Sequence, residues 1–181
     1  MLPHLLLLAI FFLFCLNVIY GAICDIRTFT IPNRVSYGLV GLFLLFAPFV
    51  WFNTPSVIHM GFYVTPILMN VAFGLVVFIF FTVFWKLGWV GGGDVKFVSA
   101  ISLFMGIEFV TPFIVVIAVL SVIMVAAIKA LQIWNPYFLN QKLPGLAKRL
   151  LMMAEQNAIP YGVPAAISAL VFMPAVIARL N

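Results

Sequence analysis

Charge is scarce in this sequence, and negative charge is scarcer still. Of 181 residues only 7% are Asp, Glu, Lys or Arg, and just four are acidic: Asp25, Asp94, Glu108 and Glu155. A soluble domain carries about 25% charged residues, so this composition cannot make a water-facing surface of ordinary size. With 66% hydrophobic residues and a mean hydropathy of +1.29, the chain is built for lipid. Thiols and imidazoles are few as well. Cys15 and Cys24 would stand about 13 Å apart along a helix, beyond disulfide reach, and they form no CxxC pair. His4 and His59 have no second metal ligand close by in sequence. No metal and no other cofactor is expected. Basic residues are missing from the N-terminus, where the first is Arg27. A secretory signal opens with positive charge, so the first apolar run is expected to be a retained helix.

What is abundant is apolar sequence in runs of membrane length. A span needs about 20 residues, and the runs predict helices over about 5–24, 36–52, 62–85, 94–109, 112–134 and 161–180. The expected fold class is all-α: a polytopic membrane protein, one domain over residues 1–181, with six transmembrane helices. The segment at about 143–156 places Leu146, Leu150 and Met153 on one helical face and reads as a short helix at the membrane surface.

The net charge of +5 reports topology and not a nucleic-acid partner. Arg27, Arg34, Lys86, Lys96, Lys129, Lys142, Lys148 and Arg149 fall on one side of the predicted spans, and only Arg179 falls on the other. Basic loops stay in the cytoplasm, so both termini are expected on the outer side.

The four acids then separate into two groups. Glu108 and Glu155 fall in predicted loops and are expected to be solvated. Asp25 closes the first helix and Asp94 opens the fourth, so both are expected at the same depth on the cytoplasmic face. An ionisable group at the membrane edge of a bundle is a functional candidate by default. Each also has a plain structural reading: Asp94 as an N-cap after glycines, Asp25 as a helix-end residue reaching water. The fourth helix is short, about 24 Å against a hydrocarbon core of about 30 Å. The Gly91-Gly92-Gly93 stretch is therefore expected to dip into the membrane and leave room for a polypeptide to lie against it. Two carboxyls close together cannot both ionise readily; one keeps a proton while the other activates water. Helix dipoles favour Asp94 as the anion and Asp25 as the neutral acid.

These residues resemble a known family. "GGGDVK" (Gly91 to Lys96) resembles the GxGD signature of intramembrane-type aspartic peptidases. "CDIRTFTIPNRVS" (Cys24 to Ser36) resembles the first aspartate motif of the prepilin peptidases, and "IPYGVPAAISA" (Ile159 to Ala169) the opening of that family's last helix. The resemblance covers nearly the whole chain. It implies a leader peptidase that cleaves type IV pilin-like precursors at the cytoplasmic face of a bacterial or archaeal inner membrane. By motif, Asp25 and Asp94 would be the catalytic pair and Gly91 and Gly93 the motif glycines. The chain looks like the compact form found in tight-adherence pilus and archaeal preflagellin systems, because the loop after helix one is too short for the insertion of the bifunctional members. Pro32 and Asn33 are expected to shape the turn into helix two. Lys96 would either neutralise a carboxylate or extend to water, and Tyr161 would be an interfacial aromatic or a hydrogen-bonding neighbour of the site. Two rivals use other chemistry. A proton-coupled transporter would also need intramembrane carboxylates, and a serine–lysine peptidase would use Ser99 with Lys96 as base.

Overall fold

The computed structural model describes residues 2–53, 57–59, 62–64, 66–138 and 160–178. Among these it has five helices and a two-stranded ribbon: α1 (Leu2–Thr28), α2 (Asn33–Asn53), β1 (Val57–His59), β2 (Phe62–Val64), α3 (Pro66–Lys86), α4 (Gly92–Phe138) and α5 (Gly162–Ala178). Helices α1 to α4 are long and apolar enough to cross a bilayer. In α1 the buried residues Leu7, Ile10, Phe14, Val18 and Asp25 recur at helical spacing, while Leu5, Leu8, Phe12, Leu16 and Ile23 are exposed. A helix apolar on its outer face as well as its inner one is solvated by lipid.

Local chemistry sets the helix ends. Helix α3 stops in a Schellman turn. Gly88 takes a left-handed φ of 74°, its N–H donates to the carbonyl of Trp85, and the N–H of Trp89 donates to that of Phe84. The rings of Phe84 and Trp89 pack 5.6 Å apart, the apolar contact that accompanies this cap. The third helix begins at Pro66 and not at Phe62. Phe62–Val64 instead pairs antiparallel with Val57–His59, Val64 opposite Val57, and Pro66 takes the first helical position, where its missing N–H costs nothing.

The fourth and fifth expected helices follow one another without a gap, and α4 is two helices joined across a kink. A straight helix over Gly92–Phe138 would be about 70 Å long, more than twice the hydrocarbon core. It breaks at Gly106 (φ 62°, ψ −177°) and turns back there. Before the break the chain climbs away from Asp94. A Cβ on Gly21 would touch the Phe97 ring, and Phe14 packs on Phe104 at 4.8 Å. Beyond it the order reverses against α5: Phe109 lies by Phe172, and the carbonyl of Phe113 accepts the Ser168 hydroxyl at 3.0 Å. The break falls at Gly106 and not between Phe109 and Pro112. The first limb, Gly92 to Met105, is about 21 Å long, so the expectation of a short fourth helix holds. The segment expected at 143–156 lies outside the described residues.

Phe104 is the centre of the core. Its ring meets Phe14, Phe43 and Phe46 at 4.8, 5.6 and 5.3 Å, which ties α1 and α2 to the first limb of α4. The end of α1, the starts of α2 and α4, the end of α3 and the start of α5 thereby gather at one end of the bundle.

Candidate active site

Asp25 and Asp94 meet at that end. Both are buried, with only 3% and 8% of their surface exposed, so neither is a solvated helix-end residue. The carboxyls are close enough for their charges to interact.

Asp25 lies in the last turn of α1. The N–H of Phe29 closes the helix on the carbonyl of Asp25 at 2.9 Å, and Thr28 Oγ1 donates to the carbonyl of Cys24 at 2.9 Å. Phe29 pays for the sharp exit with a left-handed φ of 53°, uncommon for a bulky residue. The Asp25 carboxyl is held from a distant part of the sequence: the N–H of Gly162, the first residue of α5, donates to Oδ2 at 2.7 Å.

Asp94 is not the N-cap of its helix. Gly91 precedes the first turn, its carbonyl accepting the N–H of Val95 at 3.2 Å, and Asp94 is the third helical residue. Its Oδ2 reaches back to the N–H of Gly91 at 3.2 Å, the return half of a capping box. Its Oδ1 is buried and has no hydrogen-bond partner among the described residues. Asp94 stands at the N-terminus of α4, and Asp25, at the C-terminus of α1, also meets the N-terminus of α5, so the helix dipoles separate the two less sharply than the sequence suggested.

The glycines make room mainly for the protein itself. A Cβ on Gly93 would stand 3.1 Å from the carbonyl oxygen and 3.2 Å from the nitrogen of Ile31. The polypeptide lying against Gly93 is thus the connector from α1 to α2. On Gly91 a Cβ would meet only Asp94 Oδ2, at 2.8 Å, and on Gly92 the Trp85 indole, at 3.2 Å. Ile31, which is buried, is a wedge between two helix starts, for its Cδ1 would be 2.9 Å from a Cβ on Gly162.

Pro32 and Asn33 shape the turn as expected. The carbonyl of Pro32 accepts the N–H of Val35 at 2.9 Å, and Asn33 opens α2. Among the described residues Lys96 reaches no carboxylate, nor does it merely extend to water: its Nζ donates to Asn33 Oδ1 at 3.0 Å and ties α4 to the start of α2. The Ser99 hydroxyl donates to the carbonyl of Val95 at 2.7 Å, so Ser99 and Lys96 face separate partners and form no nucleophile–base pair. Tyr161 is half-buried and close enough to Asp94 to feel its charge. Glu108 is exposed, and Glu155 lies outside the described residues. Sequence reasoning gave no role to Ile31 or Gly162. The turn Pro160–Tyr161–Gly162 announces a helix start, but nothing local says which acid it meets.

No curated protein and no solved structure matches this chain. The sequence profile described as the type IV leader peptidase family matches residues 5–128, a stretch that holds both aspartates, the glycine motif and the Pro32–Asn33 turn but ends before α5. That match covers well over half of the chain, and with its apolar helices this multi-pass membrane protein belongs to the type IV leader peptidase family, whose members are proteases.

Proposed function

We propose that the protein is a membrane aspartic endopeptidase that removes the basic leader of type IV prepilin-like precursors at the cytoplasmic face, with Asp25 and Asp94 as the catalytic pair. The observation that carries this reading is the burial of two acids, Asp25 and Asp94, beside one another. They lie 69 residues apart in the sequence (94 − 25), and each is held by a backbone N–H. Bringing two carboxyls together in a low-dielectric bundle is costly, and acid–base work on one water is the chemistry that uses it.

In this mechanism one carboxyl is ionised and takes a proton from the attacking water. The other is protonated and gives its proton to the carbonyl oxygen of the scissile bond. The tetrahedral diol then collapses, its C–N bond breaks, and the leaving nitrogen takes up a proton from the pair. The unpaired Oδ1 of Asp94 is an atom that a shared proton or the water would engage. Arg27, Arg34, Lys86 and Lys96 sit at the same end of the bundle as the acids, which supports a cytoplasmic site by the positive-inside rule. The fold of α4 at Gly106 supports a reading of six crossings, the first limb of α4 being the shortest, with both termini outside. The family match gives the transporter reading no support.

The test is processing of a co-expressed precursor, read as a gel shift. Parent protein should shorten it, and Asp25→Asn and Asp94→Asn should each leave it full-length while remaining in the membrane. Cleavage by either variant at the parent rate would remove the basis of the mechanism.

A further inference from the structure

We infer that Gly162 is a positioning residue of the peptidase: its N–H holds the Asp25 carboxyl in working orientation, and its missing side chain is what lets α5 come that close. This rests on the reading of Asp25 as half of the catalytic pair.

Four observations converge. The bond from Gly162 N to Asp25 Oδ2, at 2.7 Å and buried, is the one hydrogen bond that this carboxyl makes among the described residues. The first N–H groups of a helix have no partner within it, so Gly162 donates to Asp25 at no cost to α5. The site is filled: a Cβ there would stand 2.8 Å from Oδ2, 3.1 Å from the Cβ of Asp25 and 2.9 Å from Ile31 Cδ1. Gly162 has no left-handed φ, so close approach, and not backbone conformation, calls for glycine. Finally, the donor is rigidly mounted. Ala165, Ser168, Ala169 and Met173 of α5 are fully buried, and the Ser168 hydroxyl bonds across to the second limb of α4.

A packing glycine and a positioning glycine predict different results when the N–H alone is removed. Cell-free synthesis into nanodiscs with glycolic acid at 162 replaces the amide by an ester and adds no atoms. The control is an ester at 163, which removes the N–H that Val163 gives to the carbonyl of Pro160, a plain turn bond. On a synthetic precursor peptide, the 162 ester should lower kcat at least tenfold with KM within twofold, and the 163 ester should stay within twofold of parent in both. A 162 ester with parent kcat overturns the role of Gly162, as does an equal loss from the two esters. Gly162→Ala provides a second readout. It keeps the donor but displaces Oδ2, so it should lower kcat at least tenfold per folded molecule. Gly74→Ala, crowded by Leu103 and not by an acid, should keep kcat near parent. Equal kcat losses from these two also overturn the proposal. Failure of the parent to cleave, or cleavage by Asp25→Asn, overturns the peptidase reading itself and is seen separately.

Discussion

Gly93→Ala is a demanding perturbation because its two effects point in opposite directions. Within a helix alanine is more stable than glycine by about 1 kcal/mol, so on propensity alone the variant should gain stability. The added methyl, however, would stand 3.1 Å from the Ile31 carbonyl oxygen, 3.2 Å from its nitrogen and 3.4 Å from its Cβ. Comfortable contact begins at about 3.5 Å, so the connector between α1 and α2 must retreat by about 0.3–0.4 Å. Two of the three atoms are backbone and cannot rotate away. The connector carries Ile31 between the starts of α4 and α5, and its retreat shifts Asp25 relative to Asp94. A misplacement of about 1 Å costs about a hundredfold in rate. Scaled in free energy, about 0.3–0.4 Å corresponds to a four- to sixfold loss of kcat. Stability should stay within about 1 kcal/mol of parent, since propensity and crowding offset one another. The assay is precursor cleavage by purified protein in nanodiscs, with unfolding followed on the same preparations. Gly41→Ala is the control, because a Cβ there meets nothing within 4 Å. Parent activity in Gly93→Ala, or the same loss in Gly41→Ala, would refute the idea that this glycine sets the spacing of the acids.

Further outcomes follow from the same geometry. Ser99→Ala should keep cleavage within about twofold of parent, because Ser99 Oγ bonds only its own helix; a hundredfold loss would revive the serine–lysine alternative. Lys96→Met and Asn33→Ala should each cost less than about 1 kcal/mol of stability, as one exposed hydrogen bond is lost. The double variant should be no worse than the worse single, and fully additive losses would show that the two residues do not act as a pair. Gly106→Ala should destabilise by about 1–3 kcal/mol, because its backbone angles belong to a region open essentially to glycine alone. Adding Asn70→Ala, which clears the side chain 3.1 Å from the new Cβ, should not restore stability; recovery would mean that crowding and not conformation was the cause.

The parts of the molecule legible in the sequence are those governed by local pattern. Apolar run lengths gave the helices, the Pro32–Asn33 pair gave the turn into α2, and the placement of Asp25 and Asp94 at run ends brought them to one face. Gly106 was hidden because a glycine within an apolar run looks like any other helix residue until its φ is known, and Pro112 was the more visible punctuation. The ribbon from Val57 to Val64 was hidden because short apolar stretches do not separate strand from helix by period. The capping of Asp94 turned on three residues of register: as the cap it would precede a helix starting at Val95, and the start at Gly92 makes it the third helical residue. The bond from Gly162 to Asp25 joins positions 137 residues apart, a distance at which pattern carries no signal.

That separation has a consequence for how the protein is made. The N-terminal helices, with both aspartates, leave the ribosome well before α5 does. Until residue 162 emerges and the last helix docks, Asp25 lacks the amide that grips it and the buried seat that α5 completes. A nascent chain halted before Pro160 would hold both acids and still be an unfinished machine. On the proposed reading, newly inserted molecules would therefore reach the bilayer silent and begin work only once α5 has docked.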